Sequence, residues 1–471
     1  MHKMAPLALL LSAGLLAAGC NSDNNSNTST PTVATPKNVI FFLGDGMGIT
    51  TLTASRIYAV GEEGNLTIDT LPETAFIKTY SHDSQVTDSA PSMSAYMTGV
   101  KSNNGVISMD GDANQLADCS KSAGKPVTTL LELAKAKGMG TGVVTTTRVT
   151  HATPAATYAH ICNRDLETDI AAQLVPGGAG FNSALGSGVD VVLGGGTKQF
   201  LPKANAGSRT DGRNLITELQ AKGYTYASTL NELIAADNSK PLLGLFNGSH
   251  LSYDLDRLNG KAPTEPALAD MTAKAIDMLS QKEKGFFLMV EGGRIDHALH
   301  DTDAKRALQD TVAFDNAIKV AIDKMRVKDP DLKNTLIVVT ADHDHTLVLN
   351  GYAQRTGKTT SNQAGVLGVV KNYGGSNIGQ PTLDADGAPY SIIGFGNGSN
   401  RVDGPRNAID DAISSADDYR QEVVFNVGAP GSETHGGTDV FLGAIGYDAD
   451  SFHGVLENTA VFNKLKTAAG L

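Results

Sequence analysis

Seven side chains able to bind a metal ion or move a proton lie beside short apolar runs. They are Asp45 in FFLGDGMG, Glu291, Asp296 and His300 in VEGGRIDHALH, Asp342 and His343 in VTADHDH, and His435 in ETHGG. Carboxylates mixed with imidazoles suit zinc, and carboxylates with hydroxyls suit magnesium. Asp296 and His300 are four residues apart, which on a helical turn puts both on one face, able to grip one ion. A single Asp at a strand end is ordinarily a cap or turn former, and a single His a satisfied polar group. Seven such residues at the ends of apolar runs are not accounted for as scattered caps. The stretch VTDSAPSMSA, residues 86–95, raises a second chemistry: serine hydroxyls follow Asp88 with no basic residue among them. A serine hydroxyl is too weak an acid to attack unaided. The base or metal that activates it must come from elsewhere in the chain.

The elements that would position these groups follow from the apolar runs. NVIFFLGDG (38–46), TGVVTTT (141–147), VDVVLGGG (189–196), GFFLMVEGG (285–293) and NTLIVVTADHDH (334–345) alternate with helical patterns such as TTLLELAKAKG (128–138). Continuous Val, Ile, Leu and Phe between helices predicts an α/β fold with a large, mostly parallel central sheet covered on both faces. Ligand sites in such sheets gather at the carboxyl ends of the strands, where Asp45, Glu291, Asp342, His343 and His345 fall. Residues 346–429, rich in Gly, Asn, Ser and Asp, break the alternation and read as an insertion or small subdomain. No internal repeat is present.

The 471 residues are enough for a large single α/β domain. A net charge of −12, without clusters of Lys and Arg, argues against nucleic acid as a partner. Residues 1–20, MHKMAPLALLLSAGLLAAGC, read as an export signal: a basic start, an apolar stretch too short to span a bilayer comfortably, and small residues before Cys20. LLAAGC is similar to a bacterial lipobox, which would make Cys20 the lipidated first residue of the mature chain and anchor it in the outer membrane. Ala17 stands where such boxes usually carry Leu, so cleavage without a lipid is the alternative. Residues 21–36 are polar and suit a flexible tether. With Cys20 lipidated, Cys119 and Cys162 are the remaining thiols, either paired in an oxidising compartment or both free.

Taken together in this order, FFLGDGMG, VTDSAPS, HATPAATYAHICNR, VEGGRIDHALH, VTADHDH and ETHGG resemble the alkaline phosphatase family over residues 38–465. The resemblance implies hydrolysis of phosphate monoesters through a phosphoserine at Ser89, with inorganic phosphate as product and inhibitor, in a catalytic domain spanning 37–471. It implies one zinc on Asp45, Asp342 and His343, and a second on Asp296, His300 and His435, the two roughly 4 Å apart. Magnesium would use Asp45, Thr153 and Glu291. Arg164 would hold the phosphoryl oxygens through its planar fork. His345 would support a metal-binding carboxylate from behind, and His160 and His82 would be structural.

His151 and His297 stand where the best-known bacterial pattern has Asp and Lys, so at these positions the chain looks like the vertebrate-type enzymes. The segment 346–429 resembles their crown insertion, and the family implies a homodimer. Their calcium site is matched in part by Glu232, the Phe246 carbonyl and Glu265, with Asn247 where they carry Glu; one lost negative charge should weaken calcium. A sulfatase would need an arginine after the nucleophile that DSAPSM lacks. Related diesterases usually have a Thr nucleophile and no equivalent of Glu291. A non-catalytic metal- or phosphate-binding lipoprotein would have lost the nucleophile or a ligand, and none is missing.

Overall fold

The computed structural model describes residues 38–471. The signal segment 1–20 with Cys20, the tether 21–36 and Lys37 lie outside the described residues. Ten strands form the central sheet: β1 (Asn38–Gly44), β2 (Glu73–Lys78), β3 (Gly140–Arg148), β4 (Val191–Gly195), β5 (Thr225–Ala227), β6 (Leu242–Leu245), β7 (Phe286–Gly292), β8 (Thr335–Ala341), and two late ones. Between β8 and those two come four short strands outside the main sheet: β9 (Asp344–His345), β10 (Leu347–Leu349), β11 (Ile393–Gly398) and β12 (Val423–Asn426). A fifth, β13 (His435–Gly436), precedes β14 (Val440–Gly446) and β15 (Gly454–Glu457), which complete the main sheet.

The sheet order is β15-β2-β14-β8-β1-β7-β3-β4-β6-β5. Only β14 runs against the others, pairing antiparallel with both β8 and β2, so the expected mostly parallel sheet is present. Every residue of β7 and β8 is buried, as are six of the seven in β1. Burial on both faces of a strand requires cover on both sides, which is why these runs are continuously apolar. Near the other edge the pattern changes: β2 alternates, burying Ala75 and Ile77 while Phe76 stays 47% exposed. One face is open to solvent there.

In register, Leu43 of β1 lies beside Glu291 of β7 and Thr340 of β8, so three carboxyl ends converge. Asp45, Glu291 and Asp342 therefore start out as neighbours. The helix Ser89–Thr98 is buried along its whole length, with the Asn458–Ala468 helix packed against it. The Tyr96 hydroxyl donates to the Ala341 carbonyl at 2.8 Å and the Ser92 hydroxyl to the Asp342 carbonyl at 2.7 Å. These bonds dock the helix, with Ser89 at its start, onto the end of β8.

Within 346–429, β10, β11 and β12 form a separate three-stranded sheet. The two-residue strands β9 and β13 pair antiparallel, His345 opposite His435, and carry ETHGG back to the end of β8. No helix among the described residues is long and apolar enough to cross a membrane.

Candidate metal and nucleophile site

Ser89 is the first residue of its helix, and the Asp88 side chain caps that helix by accepting from the Ala90 amide at 2.7 Å. Cap and helix start fix the serine at a buried point, 2% exposed. Its Oγ is 3.4 Å from Asp45 Oδ1 and 3.3 Å from His343 Nε2. The same Asp45 oxygen is 3.3 Å from His343 Nε2, and Thr153 donates to the other at 3.3 Å. Asp342 accepts from the Gly46 and His343 amides, both at 3.0 Å, through Oδ1. Gly46 has φ +67° and a Cβ there would fall 2.5 Å from the His345 ring, so only glycine gives this close approach.

Asp296, His300, His345 and His435 form a second group, their ligand atoms within 4.8 Å of one another. His435 Nδ1 faces the Thr87 carbonyl at 2.8 Å, and His300 Nδ1 faces the Glu433 carbonyl. A carbonyl can only accept, so each Nδ1 carries a proton, and in the neutral ring each Nε2 presents a lone pair. Those two Nε2 atoms are 3.1 Å apart, beside an Asp296 oxygen 3.2 Å from one and 3.5 Å from the other. Converging lone pairs without a proton between them are the donor set of a cation. His345 stands behind, Nε2 on Asp296 at 2.9 Å and Nδ1 on Glu433 at 2.5 Å.

The third group is Asp45, Glu291 and His151, again within 4.8 Å. Glu291 Oε2 accepts from Thr145 and Thr147, while its Oε1 is buried with no hydrogen-bond partner, as is Asp342 Oδ2, which lies 3.5 Å from His343 Nε2. Buried unpartnered carboxylate oxygens are costly unless a cation meets them. The titration behaviour reports the same crowding. Burial and then the Asp45 charge push Glu291 well above the carboxylate range and Asp342 up to about 8. Burial opposes charge on His343 too, but Asp342 and Asp45 outweigh it and raise the ring to about 9. The residues fit bound cations on geometry and on charge.

Arg164 reaches the same pocket, Nη1 on Asp88 at 3.1 Å and Nη2 on His151 Nε2 at 3.0 Å. Five guanidinium N–H donors leave three after those two bonds. His297 lies further back, Nδ1 2.9 Å from Arg294 Nη1 and its ring 5.3 Å from that of His151.

Among the sequence-derived residues, all seven ligand candidates converge with Ser89, Thr153, Arg164, His151 and His345. Three contributors were not singled out. Glu433 anchors His345 and sits inside the quoted ETHGG stretch, so a signal existed. Asp88 joins the serine helix to Arg164. His250, its ring 4.2 Å from His297, is an isolated histidine in sequence and carries no signal. His160 and His82 have local partners, Glu132 and Asn103.

The residues matched to calcium do not fit it. Asn247 Nδ2 donates to Glu265 Oε1 at 2.6 Å, Ser252 N donates to Glu265 Oε2 at 2.7 Å, and the Asn247 oxygen accepts from Ser249 N. The exposed Glu232 carboxylate turns to Ser228, just before its own helix. Calcium takes six to eight oxygens, and here an amide N–H is aimed at the one buried carboxylate. Cys119 and Cys162 are bonded to each other as a disulfide.

Carboxylate and imidazole groups gathered around one serine, at the carboxyl edge of an open mostly parallel sheet, define a metal-binding hydrolase of the α/β class. A family model described as alkaline phosphatase matches residues 36–471. A membrane-bound alkaline phosphatase of Bombyx mori is 38% identical, with 92% of this chain and 80% of that protein covered. The tissue-nonspecific alkaline phosphatase of Gallus gallus is 37% identical, covering 92% of this chain and 84% of its own. The solved alkaline phosphatase of Thermus thermophilus superposes with a TM-score of 0.67 at 26% identity, covering 96% of each chain. The chain belongs to the alkaline phosphatase family, whose members are phosphoric monoester hydrolases.

Proposed function

We propose that the protein hydrolyses phosphate monoesters to an alcohol and inorganic phosphate through a phosphoserine at Ser89. The observation that carries this reading is the position of Ser89 Oγ, within 3.4 Å of both Asp45 and His343 on a capped, buried helix start. Asp45, Asp342 and His343 would hold one zinc, Asp296, His300 and His435 a second, and Asp45, Thr153 and Glu291 magnesium. When bound, these ions supply Lewis-acid stabilisation of the entering and leaving oxygens and lower the pKa of a coordinated water.

The protein's own groups do the rest. Asp88 and the helix start aim the serine oxygen, so attack proceeds without reorganising the main chain. Arg164 places its remaining donors on the non-bridging phosphoryl oxygens, in ground and transition state alike. Thr145 and Thr147 orient Glu291, and Glu433 orients His345 and, through its carbonyl, His300.

The proposal extends to export, with Cys20 as a lipid anchor in the outer membrane facing the periplasm or cell surface, on the support of LLAAGC. A homodimer is proposed on the family resemblance. The test of the central reading is metal content by mass spectrometry of the purified protein, paired with hydrolysis of a chromogenic phosphate ester. Zinc near two equivalents and activity lost on chelation support it. A fully active, zinc-free protein overturns it.

A further inference from the structure

We infer that the Cys119–Cys162 disulfide is a positioning device for Arg164 that sets how tightly the site holds phosphate. The inference rests on the reading of Arg164 as the clamp on phosphoryl oxygens. Arg164 lies two residues beyond Cys162, outside any helix or strand. Its main chain is tied to the 105–107 stretch: the Arg164 amide donates to the Gly105 carbonyl at 2.8 Å, and Ile161 pairs with Ile107; on the other side the main chain of His160 is held by the Gln173 side chain. Gly105 in turn donates its amide to Asp88, the same carboxylate that takes Arg164 Nη1 and caps the Ser89 helix. The nucleophile and the guanidinium thus share one anchor. The segment from Gly105 through Cys119 is the strap that keeps both at their distance.

The outer part of that strap is held on its inner side, where Asn103 Nδ2 donates to the Ala113 carbonyl at 2.7 Å and the Asn114 amide to Ser122 Oγ at 3.2 Å. Asp112, Asn114, Gln115, Ala117 and Asp118 are exposed, and the stretch has no regular structure before the short turn at Cys119. Its fastenings to the Arg164 segment are the disulfide, an Asn163 Nδ2 bond to the Leu116 carbonyl at 3.1 Å and a Gln115 bond to Asn163 at 3.3 Å. Both hydrogen bonds run through Asn163, between the disulfide and Arg164, and bonds open to water hold weakly on their own. The covalent link, buried at Cys162, is the one of these three fastenings that does not run through Asn163. Without it the Arg164 backbone retains its Gly105 bond but gains freedom to tilt. A 1 Å misplacement of a positioning group can cost about a hundredfold, and a partial release should cost about tenfold.

The experiment compares the holoenzyme with a Cys119→Ser, Cys162→Ala double variant. A second arm treats folded wild type with a water-soluble phosphine: the S–S bond breaks, the phosphine is oxidised to its oxide with oxygen from water, and two thiols form. Thiol titration confirms the reduction, so this arm decides the matter if the variant does not fold. The inhibition constant for inorganic phosphate and KM should rise together by about tenfold, with kcat within about twofold. Arg164→Ala, run in parallel, should raise the phosphate constant, and removing the disulfide in that background should add nothing further. A fully reduced enzyme whose phosphate constant is unchanged, beside an Arg164→Ala that weakens phosphate, overturns the inference and leaves the role of Arg164 intact. Additive effects of the two changes overturn it as well. An Arg164→Ala that binds phosphate normally removes the reading on which the inference rests.

Discussion

Replacing Arg164 by alanine isolates recognition from bond-breaking, because in the proposed reaction the guanidinium would face oxygens that neither attack nor leave. Two of its donors are already committed, to Asp88 at 3.1 Å and to His151 at 3.0 Å, so those partners fix the plane of the fork before any ligand arrives. Hydrogen bonds to charged groups contribute about 1.5–3 kcal/mol each. Loss of a bidentate contact is then worth about 3 kcal/mol after water re-enters the vacated space, or about a hundredfold in affinity at 1.4 kcal/mol per tenfold. Lysine keeps the charge but offers a point donor without a fork, and should recover about half of that free energy. The assay is competitive inhibition by inorganic phosphate, with KM and kcat from the same titrations. Alanine should raise the inhibition constant and KM in parallel and lower kcat less. An inhibition constant within about twofold of wild type in the alanine variant would refute the clamp.

Ser89→Ala should lower turnover by about 10³-fold or more while circular dichroism is unchanged, since the side chain is small and its helix is held by Ser92, Tyr96 and Asp88. Acid-quenched wild type should carry labelled phosphate on Ser89, and label on another serine rules the assignment out. His151→Asp adds a carboxylate to the group of Asp45 and Glu291 and should hold magnesium about tenfold more firmly through dialysis, measured by metal content and by activation on adding magnesium; identical behaviour of variant and wild type counts against it. Asn247→Glu puts a second carboxylate against Glu265, so its melting temperature should rise by about 3 °C with saturating calcium, whereas the wild type should not respond. A calcium-induced rise in wild type would show that Asn247 does not replace the ion.

His160 and Glu132, paired at 2.7 Å and nearly buried, give a pH signature. Burial lowers the His160 pKa, and the Glu132 carboxylate outweighs it, leaving the ring above its ordinary 6.5; burial raises Glu132, and His160 outweighs it, leaving the carboxyl below 4.5. The His160 contribution is present below 6.5 and fades as pH rises through its raised pKa, while that of Glu132 is present above 4.5 and fades as pH falls through its lowered one. His160→Gln should therefore cost about 3 kcal/mol of unfolding free energy near pH 6 and about 1 kcal/mol near pH 10. An equal cost at both pH values in urea titrations would contradict the pairing.

Much of the site was readable in sequence because its information is local. The strands β1, β3, β4, β7 and β8 announce themselves as continuous apolar runs, since a strand buried on both faces has no polar position to interrupt it. The residues at their carboxyl ends, Asp45, Glu291, Asp342 and His343, follow from that placement, and the spacing of Asp296 and His300 is a property of one helical turn. The ETAFIK strand, β2, escaped because one of its faces is wet and its alternation spans only six residues. The strands β5, β6, β14 and β15 are short or glycine-bearing, and they become strands only when a neighbour supplies their hydrogen bonds.

What tertiary structure alone decided is which distant groups meet. No spacing brings His435 to His300 across 135 positions; the two-residue pairing of β9 with β13 does. The sequence left Cys119 and Cys162 either bonded or free, and the fold bonds them. It offered Asn247 as a weakened calcium ligand, and the fold turns its amide toward Glu265 as a donor. Asp88 read as a neighbour of the serine, yet it holds Gly105 and Arg164 as well, because one carboxylate has lone pairs for several donors and packing chooses which arrive. Residue type and local period are written along the chain, whereas the partner of a polar atom depends on contacts between segments hundreds of residues apart, which form only as the core closes.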